Sequence, residues 1–417
     1  MKPKKQSITE QYLVRHHKKC LTEGFPVSEN LGIIVVIPCF NEPDVQDTLR
    51  SLLSCDPVDC SVEIILLINS YAFVDEDIKK YNRNSYTECR EFSSVHNRPG
   101  FTIIPLLAED LPGHQTGAGQ PRKIGMDEAV FRFNRIGREN GIIVCLDADC
   151  SVEKNYFSEI YTQFRRNELN SATIDFHHPV EHLPEENPIR KASEAYELYL
   201  HYYRAALEYC GYPYAYFTIG SAIAVTCDTY VRVGGMCKLQ AGEDFYFMQK
   251  VFPLEKTKFI DSTKVYPAAR FSDRVPFGTG PELEKLTKAE SIIKYTYNFG
   301  AFRILKEFFD QIDSFHKKSV EEISLIIDTL PQPIKEFILQ DNLIDKLVEI
   351  NQNTGNLLSF RKRFFNYFNA FKILKYLNYA HESFFQMEDV RIANRQLFFK
   401  RPFCTQWANN LLSGLFF

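Results

Sequence analysis

Residues 142–151 read IIVCLDADCS. Three aliphatic residues and a cysteine lead into Leu146 with no polar alternation, which predicts a strand buried on both faces. The strand then runs into two aspartates separated by one alanine. A segment that buries itself so completely has no packing reason to end in two carboxyl groups. The question of what Asp147 and Asp149 face therefore governs how the rest of the chain is read.

Working outward from it, the same kind of strand recurs. GIIVVIP (32–38), VEIILLINS (62–70) and FTIIPLL (101–107) are mostly apolar, with Glu63 and Thr102 as polar residues inside them. Between them lie helical patterns. EPDVQDTLRSLL carries Pro43 as a first-turn proline, with Val45, Leu49, Leu52 and Leu53 on one face. A polar helical stretch runs to about Val95, and RKIGMDEAVFRFNRIG (122–137) forms the next helix before the strand GIIVCL (141–146). Mostly apolar strands alternating with helices predict a mostly parallel, Rossmann-like α/β sheet covered on both faces. Ligands of such sheets bind beyond the carboxyl ends of the strands. Pro38 to Glu42, Asn69–Ser70, the loop 108–121 and Asp147–Asp149 all fall there.

Beyond Phe176 the pattern is mixed: strands at 171–176 and 217–226, a long helix at 188–208, a short helix stopped by Gly234–Gly235, and another helix from Gly242. From about Pro281 the chain is helical. Three regions are expected: a polar helix or tail over 1–30, the sheet domain over 31–280, and a helical domain over 281–417.

The composition sets limits. The 417 residues include 45% hydrophobic ones, enough for a large core, and the net charge of −4 gives no footprint for nucleic acid. The eleven cysteines lack CxxC spacing, and MKPKKQSITE is not followed by an apolar stretch. Free thiols in a soluble, cytoplasmic protein are expected. FRKRFFNYFNAFKILKYL (360–377) is basic and aromatic. Two readings stand for it, a peripheral membrane contact and an ordinary core helix. His178 and His182 are four apart, but Pro179 and Pro184 argue against a helix that would align them as metal ligands.

For Asp147 and Asp149 two readings also stand. Paired carboxylates at a strand end suit Mg2+ or Mn2+, hard cations that take oxygen ligands and leave positions for phosphate oxygens. The plainer alternative has Asp149 or Ser151 capping a helix near Asn155, with Asp147 solvated.

VVIPCFNE (35–42), PRKIGMDEA (121–129), LDADCS (146–151), VRVGGM (231–236) and AGEDFYFMQKV (241–251), in that order and at these separations, resemble the family 2 glycosyltransferases with a GT-A fold. The resemblance spans roughly residues 32 to 280. It implies a nucleotide-sugar donor, UDP- or GDP-linked, and a saccharide or lipid-linked acceptor. Pro38, Phe40 and Glu42 would pass under the nucleoside. Asp147 would lie near the ribose or the metal, and Asp149 would ligate the metal that bridges the diphosphate. Asp244, next to Glu243, would take the proton from the acceptor hydroxyl, which favours inversion. The bland alternative for both acids is first-turn residues favoured by the helix dipole, which would also keep Asp244 ionised.

The chain departs from the family pattern in three places. Asn69 stands where an aspartate usually receives the base N–H. No histidine follows as a further metal ligand, and Arg270 and Arg274 are available for phosphates instead. The glycine-rich LPGHQTGAGQPRK (111–123) is expected to be a mobile loop whose Arg122 and Lys123 face the donor, and SDRVPFGTG (272–280) is a lid or a linker. A retaining transferase and a catalytically silent nucleotide-sugar-binding protein remain the rival readings.

Overall fold

The computed structural model describes residues 6–16, 20–113, 117–239, 241–271 and 278–400. By packing, the chain forms two units: residues 1–185 with 216–284, and residues 186–215 with 285–417. From sequence, 186–215 falls inside the sheet domain. Its helix instead groups with the C-terminal helices.

The first unit runs α1 (Ile8–His16), β1 (Leu31–Cys39), α2 (Val45–Leu53), β2 (Ser61–Tyr71), α3 (Glu76–His96), β3 (Phe101–Leu111), α4 (Gly119–Arg135), β4 (Ile142–Cys145), β5 (Cys150–Val152), α5 (Tyr156–Asn167) and β6 (Ser171–Phe176). After α6 (Pro188–Tyr209), which belongs to the second unit, follow β7 (Ile223–Thr226), α7 (Cys227–Arg232), α8 (Glu243–Val251) and β8 (Thr257–Pro267). The eight strands form one sheet in the order β3-β2-β1-β4-β7-β6-β8-β5. β3, β2, β1 and β4 are mutually parallel, and so are β6 and β8. β7 runs antiparallel to β4 and β6, and β5 antiparallel to β8. The predicted mostly parallel α/β sheet is thus observed, with antiparallel insertions in its second half.

Strand order makes the switch point explicit. The chain steps outward from β1 to β2 to β3, then returns through α4 to place β4 on the other side of β1. Helices cover both faces. A Cβ on Gly125 of α4 would lie 2.4 Å from a Val36 methyl carbon and 3.8 Å from one of Ile65, so α4 packs on the face that carries Ile65 and, by alternation, Asn69. α3 reaches the opposite face, where the Asn82 amide meets the Ser70 hydroxyl at 3.2 Å. The crevice between the carboxyl ends of β1 and β4 is the expected ligand position in such a sheet.

α4 is buried nearly all round although it carries Arg122, Lys123, Asp127, Glu128 and Arg132. Each charge has partners, as burial requires. Glu128 accepts from the Leu21 N–H at 2.9 Å and the Thr22 hydroxyl at 2.8 Å. Arg132 pairs with Glu63 and donates to the Pro26 carbonyl at 2.8 Å. The segment before β1 therefore supplies partners for buried charges.

The second unit is helical: α6, then α9 (Thr279–Lys288, which straddles the boundary), α10 (Phe299–Asp310), α11 (Val320–Asp328), α12 (Gln332–Gln340), α13 (Leu343–Gln352), α14 (Leu357–Tyr367), α15 (Ala370–Ser383) and α16 (Val390–Lys400), with a two-residue pair β9 (Tyr295–Thr296) and β10 (Glu388–Asp389). Its core centres on Phe308, whose ring meets Phe364 and Phe368 at 5.8 and 5.3 Å. In the basic-aromatic stretch, Phe360, Phe364, Phe368, Tyr376 and Leu377 are fully buried, while Arg361, Lys362 and Arg363 are exposed. The rings of Phe360, Phe364, Phe368 and Tyr376 serve the core. No described helix is long and apolar enough to cross a membrane.

Candidate active site

The DAD segment leaves β4 beside β1: the Leu146 N–H donates to the Val36 carbonyl at 3.1 Å, and the Cys150 N–H closes a turn onto the Asp147 carbonyl at 3.2 Å. No helix follows at once. Residues 150–152 form β5, and α5 starts at Tyr156 with no side-chain cap. The helix-cap alternative for Asp149 and Ser151 is thereby excluded. Two α2 side chains that sequence alone did not single out fix the turn. Thr48 Oγ1 donates to the Ala148 carbonyl at 2.8 Å, and Ser51 Oγ accepts the Val152 N–H at 2.9 Å.

Each aspartate meets a different arginine. Arg122, in the first turn of α4, donates to Asp147 Oδ1 at 2.6 Å and to Glu243 at the start of α8. Arg270, just past β8, pairs with Glu42, with Asp149 Oδ2 at 3.0 Å and with Asp44 Oδ2 at 3.5 Å. Five carboxyl groups, those of Glu42, Asp44, Asp147, Asp149 and Glu243, thus pair with two guanidinium groups at the ends of β1 and β4 and the start of α8, and a sixth, that of Asp244, lies within reach of the Arg122 charge. Burial works against the charge of Arg122, and Asp147 and Glu243 more than offset it, so the group stays cationic. A backbone close approach covers its guanidinium. A Cβ on Gly220 would lie 2.7 Å from Nη1 and 2.8 Å from Nη2, so the position has no room for a side chain.

The acids of α8 are not simple surface residues. Glu243 is buried, and burial raises its pKa against the pull of Arg122. Asp244 accepts the Phe245 N–H at 2.7 Å. Burial of its carboxyl, and then the charge of Glu243, push it up to about 7. The helix dipole favours the ionised form, and burial acts against it.

Lys123 is also corrected. One residue along a helix turns a side chain by about 100°. While Arg122 faces the acids, Lys123 Nζ is held by Asp127 Oδ2 at 3.0 Å and the Tyr12 hydroxyl at 2.9 Å, in a buried cluster joined by Tyr230. It does not face Asp147. The glycine-rich segment is shorter as a loop than expected, because β3 extends to Leu111 and α4 begins at Gly119. Residues 114–116, Arg274 and most of 272–280 lie outside the described residues.

Beyond β1 and β2, Pro38 is half-buried opposite Leu67, and the Phe40 ring meets Tyr71 edge-on at 6.4 Å. Tyr71 in turn meets the exposed Phe73 at 5.6 Å and donates to the Gly117 carbonyl at 2.7 Å. Asn69 is buried, and neither side-chain atom of its amide has a hydrogen-bond partner among the described residues. A buried amide left unpaired is costly and calls for an explanation. Among the described residues, no three His, Cys, Asp or Glu side chains converge as a ready-made metal cage.

No protein-family model matches the chain, and no curated protein does. Among solved structures, the chain is similar to S. aureus TarS 1–349 in complex with UDP-GlcNAc, at 11% identity and TM-score 0.41 over 77% of this chain and 91% of that one. It is also similar to the mannosyltransferase PcManGT from Pyrobaculum calidifontis in complex with GDP-Man and Mn2+, at 12% identity and TM-score 0.36 over 90% and 94%. Likeness this slight decides neither the fold nor the activity of this chain. The arrangement of its own acids and arginines has to carry the assignment.

Proposed function

We propose that the chain is a metal-dependent glycosyltransferase of the GT-A type that moves a sugar from a UDP- or GDP-linked donor to a hydroxyl of a saccharide or lipid-linked acceptor, with inversion. The observation that carries this reading is the gathering of six carboxyl groups around two arginines at the switch point of a doubly wound sheet.

The donor set fits Mg2+ or Mn2+. Such cations need no complete protein cage, since Mg2+ commonly takes one or two carboxylates together with substrate phosphates and water. Asp147 and Asp149 supply two part-exposed carboxylates, with side chains 42% and 20% exposed, in a site where acids outnumber arginines. Bound there, the cation would offset the charge that develops on the departing diphosphate.

The residues of the chain do the rest. Phe40 and Tyr71 offer aromatic surface beside the nucleoside, and the unpaired Asn69 amide offers a donor and an acceptor to a base edge. Arg270 is set to exchange a carboxylate for phosphate oxygens, a group its planar fork matches. Asp244 receives the acceptor's proton, and its pKa near neutrality suits a general base working there. The acceptor oxygen forms its bond to the anomeric carbon from the face opposite the leaving group. The bond from that carbon to the phosphate oxygen breaks, its electron pair leaves on the diphosphate, and the hydroxyl proton goes to Asp244.

Calorimetry tests the reading. The wild-type protein should bind UDP or GDP only with Mn2+ or Mg2+ present, and Asp149→Ala should abolish that cation-dependent binding while circular dichroism stays unchanged. Equal, cation-dependent affinity in the variant would reject the assignment.

A further inference from the structure

Asn82 is a polar residue on a largely polar helix, and it is almost wholly buried. Its side chain ties the loop after β1 to the last residues of β2 at three points. Oδ1 accepts the Asn41 N–H at 3.0 Å, while Nδ2 donates to the Asn69 carbonyl at 2.9 Å and to the Ser70 hydroxyl oxygen at 3.2 Å. The first belongs to the loop after β1 and the other two to the end of β2.

At Asn41 it holds a turn. Asn41 has φ of 48°, in the left-handed region, which asparagine adopts more readily than other residues with a side chain. Asn41 sits between Phe40, whose ring meets Tyr71, and Glu42, which receives Arg270. The twist at Asn41 sets the directions of both neighbours. On the β2 side, the same amide fixes the carbonyl of Asn69, the residue whose own amide is unpaired.

We propose that Asn82 is the positioning residue of a nucleoside subsite formed by the ends of β1 and β2. It acts through Asn41 and Asn69 without touching the ligand, and it clamps the loop after β1 to the end of β2 so that Phe40 and the Asn69 amide meet the same base. This rests on the nucleotide-sugar reading above. The clamp serves the nucleoside half of the donor, because the phosphate half is held from β4 and by Arg270. Loss of the clamp should therefore weaken a nucleoside diphosphate and leave inorganic pyrophosphate nearly unaffected. A residue with only a structural role would lower both affinities together with the melting temperature.

The experiment measures binding of UDP, GDP and pyrophosphate, each with Mn2+, to the full chain and to Asn82→Leu and Asn82→Asp, with the melting temperature of each. Asn82→Leu removes all three hydrogen bonds and should weaken the nucleoside diphosphate that wild type binds by about tenfold. Pyrophosphate affinity should change less than about twofold. Asn82→Asp keeps the acceptor for the Asn41 N–H but sets a carboxyl oxygen, which has no proton to donate, against the Asn69 carbonyl, so it should also bind nucleotide more weakly than wild type. Unchanged nucleotide affinity in Asn82→Leu or in Asn82→Asp, or an equal loss for pyrophosphate, would each overturn the proposal. Wild-type protein that binds neither nucleotide refutes the transferase reading itself, and this role with it.

Discussion

Replacing Arg122 by methionine tests the ion pair on which the site is built. The Arg122 side chain is 3% exposed, but its partners differ: Glu243 is 5% exposed and Asp147 42%. The Asp147 arm lies half in water, where such a pair contributes about 0–1 kcal/mol. The Glu243 arm is enclosed, and removing one partner of a buried pair strands the other charge at a cost of about 3–5 kcal/mol. At about 2–4 °C per kcal/mol for a unit of this size, Tm near neutral pH should fall by about 6–20 °C. The loss also has a sign in pH. Burial already raises the Glu243 carboxyl against the pull of Arg122, and without Arg122 it rises further. A carboxyl whose folded pKa lies above its unfolded value destabilises the fold as pH climbs through that range. The deficit should therefore be larger at about pH 8 and shrink towards about pH 5. Adding Glu243→Gln removes the stranded charge and should restore most of the loss. Thermal unfolding followed by circular dichroism at three pH values reads all of this. A deficit below about 1 kcal/mol, which is no more than an average substitution costs, would refute the reasoning. So would a deficit that is flat with pH, or a double variant no more stable than the single one.

Three further outcomes are expected. Asp244→Asn should keep nucleotide and Mn2+ binding but lose transfer by about 10²-fold or more; the wild-type rate should rise with pH through about 7 as the carboxyl gives up its proton, and near-normal turnover in a well-folded variant would end its role as base. Asn69→Leu removes an amide with no partner among the described residues, so melting temperature should hold or rise, while nucleotide affinity falls by about 2–10-fold; a drop in both would make the amide structural. In the second unit, His381 Nδ1 pairs with the Leu377 carbonyl at 2.7 Å and Nε2 with the Asn298 N–H at 2.8 Å, a combination that only the neutral ring satisfies. Burial lowers its pKa, so its contribution is present above about 6.5 and fades as pH falls towards the folded value. His381→Gln should flatten that limb of a stability-versus-pH curve, and an identical slope would exclude His381 as its source.

Much of the sheet was legible from local pattern. Runs such as 32–38, 62–70 and 142–146 have no polar alternation and suit a strand covered on both faces, so the mostly parallel core followed from residues a few positions apart, while the strand order came only from the tertiary structure. The placement of Glu42, Asn69, Asp147 and Asp149 at strand ends followed too, because strand ends are read from the same runs. Tertiary structure alone decided which charges meet. Arg122 joins Asp147 and Glu243, 25 and 121 positions away, and Arg270 reaches back to Glu42 across 228. No periodicity encodes such distances. Arg122 and Lys123 look alike in sequence, and only the packing of α4 sends one to the acids and the other to Asp127. The buried stripe of α3, formed by Lys79, Asn82, Ser85, Cys89 and Ser93, is polar, so hydrophobic spacing could not reveal which of its faces is covered or that Asn82 ties the loop after β1 to the end of β2. The raised pKa of Asp244 has the same origin. Burial is a property of everything packed around a carboxyl, and a helix-start acid in sequence carries no sign of it.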